Sequence, residues 1–144
     1  MEYGNYGVLL STFNDDGSFC EQAFRKEVEY CSTLPIAGLM VCGSTGEFPY
    51  LDEALYRKEM EIAIAGCGDK ELIAGISAPS DSQVLTNMEI AHSLGYRQFM
   101  CCPPYYYHQN DAAVVDFYKY ISKHVPSDSI LLLYNIPSCT SRIT

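Results

Sequence analysis

An α/β fold built on a parallel sheet is the class this sequence predicts, and three observations predict it. Short unbroken apolar runs, such as Ile130-Leu131-Leu132-Leu133, end in turn residues, the pattern of a strand buried on both faces. Between these runs lie longer stretches whose apolar residues recur three and four apart, the period of a helix packed along one side. The two patterns alternate strictly in units of about thirty residues, the rhythm of βαβ connections. That rhythm by itself does not separate a closed barrel from an open sheet.

Taken in order, Gly7 to Thr12 reads as the first strand, and Asn14-Asp15-Asp16-Gly17 as a turn. Ser18 followed by Glu21 has capping-box spacing, and Phe24, Val28 and Cys31 give the helix after it one apolar stripe. Gly38 to Val41 is the second strand. Asp52 is placed to cap a second helix that buries Leu55, Ile62 and Ala63 and stops near Gly66 and Gly68. Leu72 to Ile76 is the third strand, and Ser80 or Asp81 caps a helix carrying Val84, Met88 and Ala91 to Gly95. Phe99 to Cys102 is the fourth strand, closed by Pro103-Pro104. A helix from Asp111 to Val125, with the stripe Val114, Tyr118, Ile121 and Val125, leads to the fifth strand, Ile130 to Leu133. Asn135 and Pro137 stop that strand, and Ser141 is placed to cap a further helix.

The composition fits one globular domain: 144 residues, 48% hydrophobic and 19% charged. The net charge of -9 with no basic run argues against nucleic acid or an anionic membrane as partner. The apolar stretches are shorter than a membrane span, and the start lacks the order of a signal peptide, so the cytoplasm is expected. The seven cysteines form no C-x-x-C pair and accompany no histidine cluster, so neither a metal site nor a disulfide framework is expected. They read as reduced, mostly structural thiols.

Three polar clusters follow three different strands and share one edge if those strands are parallel. They are Gly43-Ser44-Thr45-Gly46-Glu47, Tyr105 to His108, and Tyr134 to Thr140. The carboxyl edge of a parallel sheet is where ligands and reacting groups collect. Gly43 and Gly46 permit a tight turn, while Ser44 and Thr45 offer hydroxyls beside backbone N–H groups, a cradle for a small carboxylate. The same residues also suit a plain strand-to-helix turn whose hydroxyls satisfy the backbone. Tyr134 is a phenol at a strand end, able to relay a proton if neighbours hold its oxygen, and equally able to serve as a core tyrosine. His108 reads as surface or interface, and Glu47 as an orienting residue. Cys139 has no histidine partner for nucleophilic work.

Placed together, these clusters make the sequence resemble the dihydrodipicolinate synthase/N-acetylneuraminate lyase family, Schiff-base class I aldolases on a TIM (β/α)8 barrel. The resemblance runs from Gly7 to Thr144 and rests on Gly43-Ser44-Thr45-Gly46-Glu47 and Tyr134-Asn135-Ile136-Pro137-Ser138. Pro104-Tyr105-Tyr106 and Phe13-Asn14-Asp15-Asp16-Gly17 support it. It implies a truncated half-barrel of about four βα units plus a fifth strand, with residues 1–144 forming the N-terminal half of a single barrel domain. It implies that Tyr134 shuttles protons, that Ser44 links it to Tyr106 of a neighbouring subunit, and that Thr45, with Ser44 and Gly46, holds a pyruvate-like 2-oxo acid. A small-molecule 2-oxo acid or sugar acid as substrate, no cofactor, and a homo-oligomer (dimer or tetramer) follow from the same resemblance.

The departures matter as much. The family's nucleophilic lysine stands on the sixth strand, beyond Thr144, and Lys26, Lys58, Lys70, Lys119 and Lys123 fall on or beside helices. The chain is therefore expected to be catalytically incomplete. Cys139 occupies the place of a substrate-binding arginine of the synthases, with Arg142 nearby, and the Ser44-Thr45 pair looks closer to the neuraminate lyases. Thr12 stands where the family often has proline. Two other outcomes stay open: dehydration of a 2-keto-3-deoxy sugar acid, and an inactive half-barrel that only self-associates through its open edge.

Overall fold

Short apolar runs form a sheet only if neighbouring runs pair, and here each run pairs with the next. A computed structural model of the chain describes residues 4–143. Five strands, β1 Tyr6–Val8, β2 Gly38–Val41, β3 Glu71–Gly75, β4 Gln98–Cys101 and β5 Ile130–Leu133, lie side by side in chain order. Every pairing is parallel. Helices α1 Glu21–Ser32, α2 Glu53–Gly66, α3 Asp81–Ser93 and α4 Asp111–Ser122 make the four crossovers. Because each strand adds at the same side of the last, all five carboxyl ends fall along one rim. This is the architecture expected from the βα rhythm.

The core lies between sheet and helices. Leu39, Val41, Ala74, Ile76 and Phe99 meet Phe24, Val28, Met60, Val84 and Ile121, all buried. Burying each large side chain contributes about 1.5–3 kcal/mol relative to leaving it in water. The stripes read from the sequence are the faces that pack: Phe24 and Val28 on α1, Val84, Met88 and Ala91 on α3, and Val114, Tyr118 and Ile121 on α4. Two expected caps form, the Leu55 amide donating to Asp52 Oδ1 at 2.8 Å and the Gln83 amide to Ser80 Oγ at 3.3 Å.

Several local expectations are corrected. The Ser18–Glu21 capping box does not form. Ser18 Oγ donates instead to Asp16 Oδ1 at 2.6 Å, and Cys20 precedes α1 without a side-chain cap. Glu21 turns outward to Arg25 and Lys58. β1 is shorter than its apolar run: beyond Leu9 the chain leaves the sheet, and the Cys20 amide donates to Thr12 O. α4 ends at Ser122, short of Val125. β5 is not buried on both faces, since it pairs with β4 alone and leaves Ile130 43% and Leu133 53% exposed. Beside it, between α4 and β5, runs an apolar groove of about 520 Å³ lined by Val114, Val115, Leu131, Leu133 and Ile143. Among the described residues no helix is long and apolar enough to cross a membrane.

Candidate active site

The site is built where β2, β4 and β5 end on the common rim. After β2 the chain turns sharply: Cys42 and Glu47 both adopt left-handed backbone at φ 53, a conformation that non-glycine residues seldom take. Between them Gly46 packs so tightly that a Cβ there would lie 3.0 Å from Leu9 O. The turn is closed by the Glu47 amide donating to Ser44 O at 3.1 Å and the Phe48 amide to Gly43 O at 3.4 Å. Among the described residues neither the Thr45 nor the Gly46 amide donates a hydrogen bond. Two adjacent backbone donors are thus left over beside two side-chain hydroxyls. That makes a nest able to receive an anion.

β5 delivers the second component. The Tyr134 amide continues the ladder to Cys101 O at 2.9 Å, which sets the ring at the rim, and Tyr134 Oη lies 3.2 Å from Ser44 Oγ. The two residues are ninety positions apart in the chain, so the contact is made by the sheet alone. Asn135 fixes the loop that follows, its Oδ1 accepting from the Ile143 amide at 3.2 Å.

Ser44 and Tyr134 face a cavity of about 230 Å³ whose other walls include Phe48, Cys102, Tyr105, Cys139 and Thr140. Tyr105 stands edge-on to Phe48, with ring centres 5.6 Å apart. Its hydroxyl is buried with no hydrogen-bond partner among the described residues. Burial, with a smaller contribution from Cys102, pushes that phenol up to about 12, so it stays a neutral donor across the physiological range. Among the described residues no lysine lines the cavity. Lys58 pairs with Glu21, and Lys70 lies at the opposite end of the sheet, donating to Leu34 O and Ile36 O.

The structure brings some sequence-predicted residues together and leaves others apart. Ser44 and Tyr134 meet. Thr45 and Gly46 share the turn with Ser44 but do not line the cavity, Thr45 being exposed and Gly46 buried. Tyr106 stands outside, 79% exposed and packed edge-on against Tyr107. Glu47 makes no side-chain cap to the 3-10 helix Phe48–Tyr50. Arg142 lies in the α4–β5 groove, while Cys139 is on the cavity wall. Ser141 is buried and accepts the Gln109 amide at 2.8 Å, which ties the two rim loops together.

Sequence reasoning missed Ser11, Tyr105 as a cavity hydroxyl, and Glu59. Ser11 falls inside the first strand as the sequence predicts it, and only because β1 ends at Val8 does it stand on the rim; its hydroxyl donates to Gly46 O at 2.6 Å.

A parallel sheet whose five strands add in chain order, with helices between them, defines a class by architecture, the α/β barrels, in which ligands collect at the carboxyl ends of the strands. Within that class the chain belongs to the Dihydrodipicolinate synthetase family, whose sequence model matches residues 3–143. It is 29% identical over 140 residues to 4-hydroxy-tetrahydrodipicolinate synthase of Methanothrix thermoacetophila, covering 97% of this chain and 46% of that protein. It is 28% identical over 139 residues to N-acetylneuraminate lyase of Fusobacterium nucleatum, covering 95% and 47%. Among solved structures, 2-keto 3-deoxygluconate aldolase from Picrophilus torridus superposes with a TM-score of 0.91 at 26% identity, over 99% of this chain and 51% of that one. The chain therefore spans about half the length of the relatives it matches, and its fold is that of half a TIM barrel.

Proposed function

We propose that residues 1–144 are the N-terminal half of one barrel domain of a Schiff-base lyase or aldolase acting on a pyruvate-type 2-oxo acid. The observation that carries this reading is the 3.2 Å approach of Tyr134 Oη to Ser44 Oγ, beside the undonated Thr45 and Gly46 amides. The Thr45 hydroxyl and the two amides bind the substrate carboxylate, which fixes the adjacent ketone near Tyr134. An amine then attacks the ketone carbon. The phenol gives a proton to the departing oxygen, which leaves as water, and takes one back as a carbon–carbon bond is made or broken. Ser44 holds the phenol oxygen and passes the proton onward to Tyr106 of a second copy of the chain, whose exposed ring suits an interface between subunits.

The amine is a lysine outside these residues. The relatives' greater length and the open β5 edge, with Ile130 and Leu133 exposed, both support a barrel completed by further polypeptide. Within the family, Cys139 on the cavity wall favours the lyase branch over the synthase branch, because a thiol cannot pair with a second substrate's carboxylate as an arginine does. The match to a 2-keto 3-deoxygluconate aldolase keeps a sugar acid as a second substrate class; dehydration of a 2-keto-3-deoxy sugar acid through the same Schiff base is the second reading. The cytoplasm suits either reaction.

Reductive trapping tests the proposal. Borohydride with pyruvate should leave the mass of the 144-residue chain unchanged and should add one pyruvate-derived group once the polypeptide that completes the barrel is present. An adduct on a lysine of this chain alone would overturn the division of labour. If light scattering finds a stable self-associated species while the completed protein traps nothing, the half-barrel is an association module instead.

A further inference from the structure

Behind the Gly43–Gly46 turn, away from the cavity, lies Glu59, a carboxyl on α2 with 1% of its surface exposed. Its Oε2 accepts from Cys42 Sγ at 3.4 Å, and the Ser11 hydroxyl faces the same carboxyl. Its Oε1 has no hydrogen-bond partner among the described residues. Cys42 is the left-handed residue at which the chain enters the turn. Ser11 donates to Gly46 O, where the chain leaves it. Both ends of the turn therefore lead to one buried carboxyl on a different element.

We propose that Glu59 is a positioning residue for the carboxylate-binding turn, holding its entry through Cys42 and its exit through Ser11. This rests on the reading of Thr45 and Gly46 as the donors to a substrate carboxylate. The proton count fixes the form of Glu59 that does the holding. A serine hydroxyl has one proton, and Ser11 gives it to the Gly46 carbonyl, so it turns a lone pair toward Glu59. An ionised carboxylate would oppose that lone pair, and the neutral acid is the form able to donate to it. Burial is the largest influence and pushes Glu59 above the usual carboxylate range, with Glu27 on α1 adding to the rise against the thiol of Cys42. Neutrality has a second effect: no negative charge stands behind the cradle, whereas ionised Glu59 would repel a bound carboxylate. An amide has the same shape and can both donate to Ser11 and accept from Cys42. Glu59→Gln should therefore keep the turn, and Glu59→Leu should release it.

The test uses the 144-residue chain, with hydrogen exchange at the Glu47 and Phe48 amides that close the turn, and pyruvate titrations followed at the Thr45 and Gly46 amides from pH 4.5 upward. Expected is exchange about tenfold faster or more in Glu59→Leu, with β2 and α2 still protected, and wild-type rates in Glu59→Gln. In wild type the pyruvate affinity should fall severalfold more across that range than in Glu59→Gln. Equal exchange in Glu59→Leu and wild type would overturn the proposal, as would an identical pH slope in wild type and Glu59→Gln. Should Glu59→Leu fail to fold, Ser11→Ala, which releases only the Gly46 end, and the Glu59→Gln pH slope still decide it. If pyruvate shifts neither amide while the exchange pattern holds, the carboxylate-site reading fails and the turn-holding role stands.

Discussion

The two ends of this sheet are built from opposite materials. At the amino ends of the strands, polar side chains are spent on closure. The Tyr6 hydroxyl donates to Glu71, Gln98 Nε2 donates to the same carboxylate at 3.1 Å, and Lys70 caps Leu34 O and Ile36 O at 2.9 and 3.0 Å. Asp128 joins Arg97 and His92 below β4 and β5. At the carboxyl ends, among the described residues, the backbone takes two left-handed non-glycine residues, leaves two amides undonated and buries a tyrosine hydroxyl without a partner. The lower end is tied together by these bonds, Gln98 Oε1 being the buried side-chain atom there without a partner among the described residues, while the upper end is poised for a ligand, the division of stability from function that α/β barrels follow.

The largest effect that sharpens this contrast lies at the top. In the completed barrel, Tyr134→Phe should lower kcat by about 10²–10⁴-fold, while Thr45→Val should act mainly on KM for the 2-oxo acid. Steady-state kinetics on purified variants separates the two. Neither change should lower the melting temperature of the half-barrel. At the bottom the signs reverse: Lys70→Met takes the Lys70 donor from Ile36 O and leaves Leu34 O with the Ile36 amide alone, and should cost about 1–3 kcal/mol in urea unfolding, with no effect on pyruvate binding.

A subtler break of the comparison is Tyr105→Phe. Removing a buried hydroxyl that has no partner should leave stability unchanged or raise it by about 1 kcal/mol in thermal melts. If that variant is strongly destabilised, the hydroxyl has a structural partner and the upper end is less open than described. The pH dependence of folding gives a smaller signal of known sign. Glu59 has its pKa raised by burial from the ordinary 4.5, so folding takes up a proton there. Stability should be full below the ordinary value and decline as pH rises through the raised one, a slope that Glu59→Gln removes. Asp128 runs the other way. Its hydrogen bond to His92 lowers it from 3.8, so its small contribution is present above that value and lost as pH falls.

Much of this was legible before any coordinates. The apolar runs marked the strands because a strand of a parallel sheet buried on both faces reads as continuous Val, Ile and Leu, and the stripe of α3 marked its buried face. The Gly43–Glu47 turn and Tyr134 were visible because each directly follows a strand. What escaped depends on side chains meeting across the sheet. Ser11 reaches Gly46 thirty-five residues on, and Ser141 reaches Gln109 thirty-two residues back, and no local pattern encodes either contact. Glu59 sits on a helix rich in charged residues, and no local pattern marks it as buried. The Ser18–Glu21 box was a true local pattern that lost to a competing one, because Asp16 offered Ser18 a nearer acceptor. The burial expected of β5 failed because burial belongs to neighbours, and β5 has one on a single side.

The most direct test of the account is a pyruvate titration of the isotopically labelled chain, read residue by residue. Shifts confined to the upper rim, at Thr45, Gly46 and Tyr134, with Lys70, Glu71 and Gln98 silent, are the predicted result. Shifts centred on the amino ends of the strands, or on the α4–β5 groove, would contradict it.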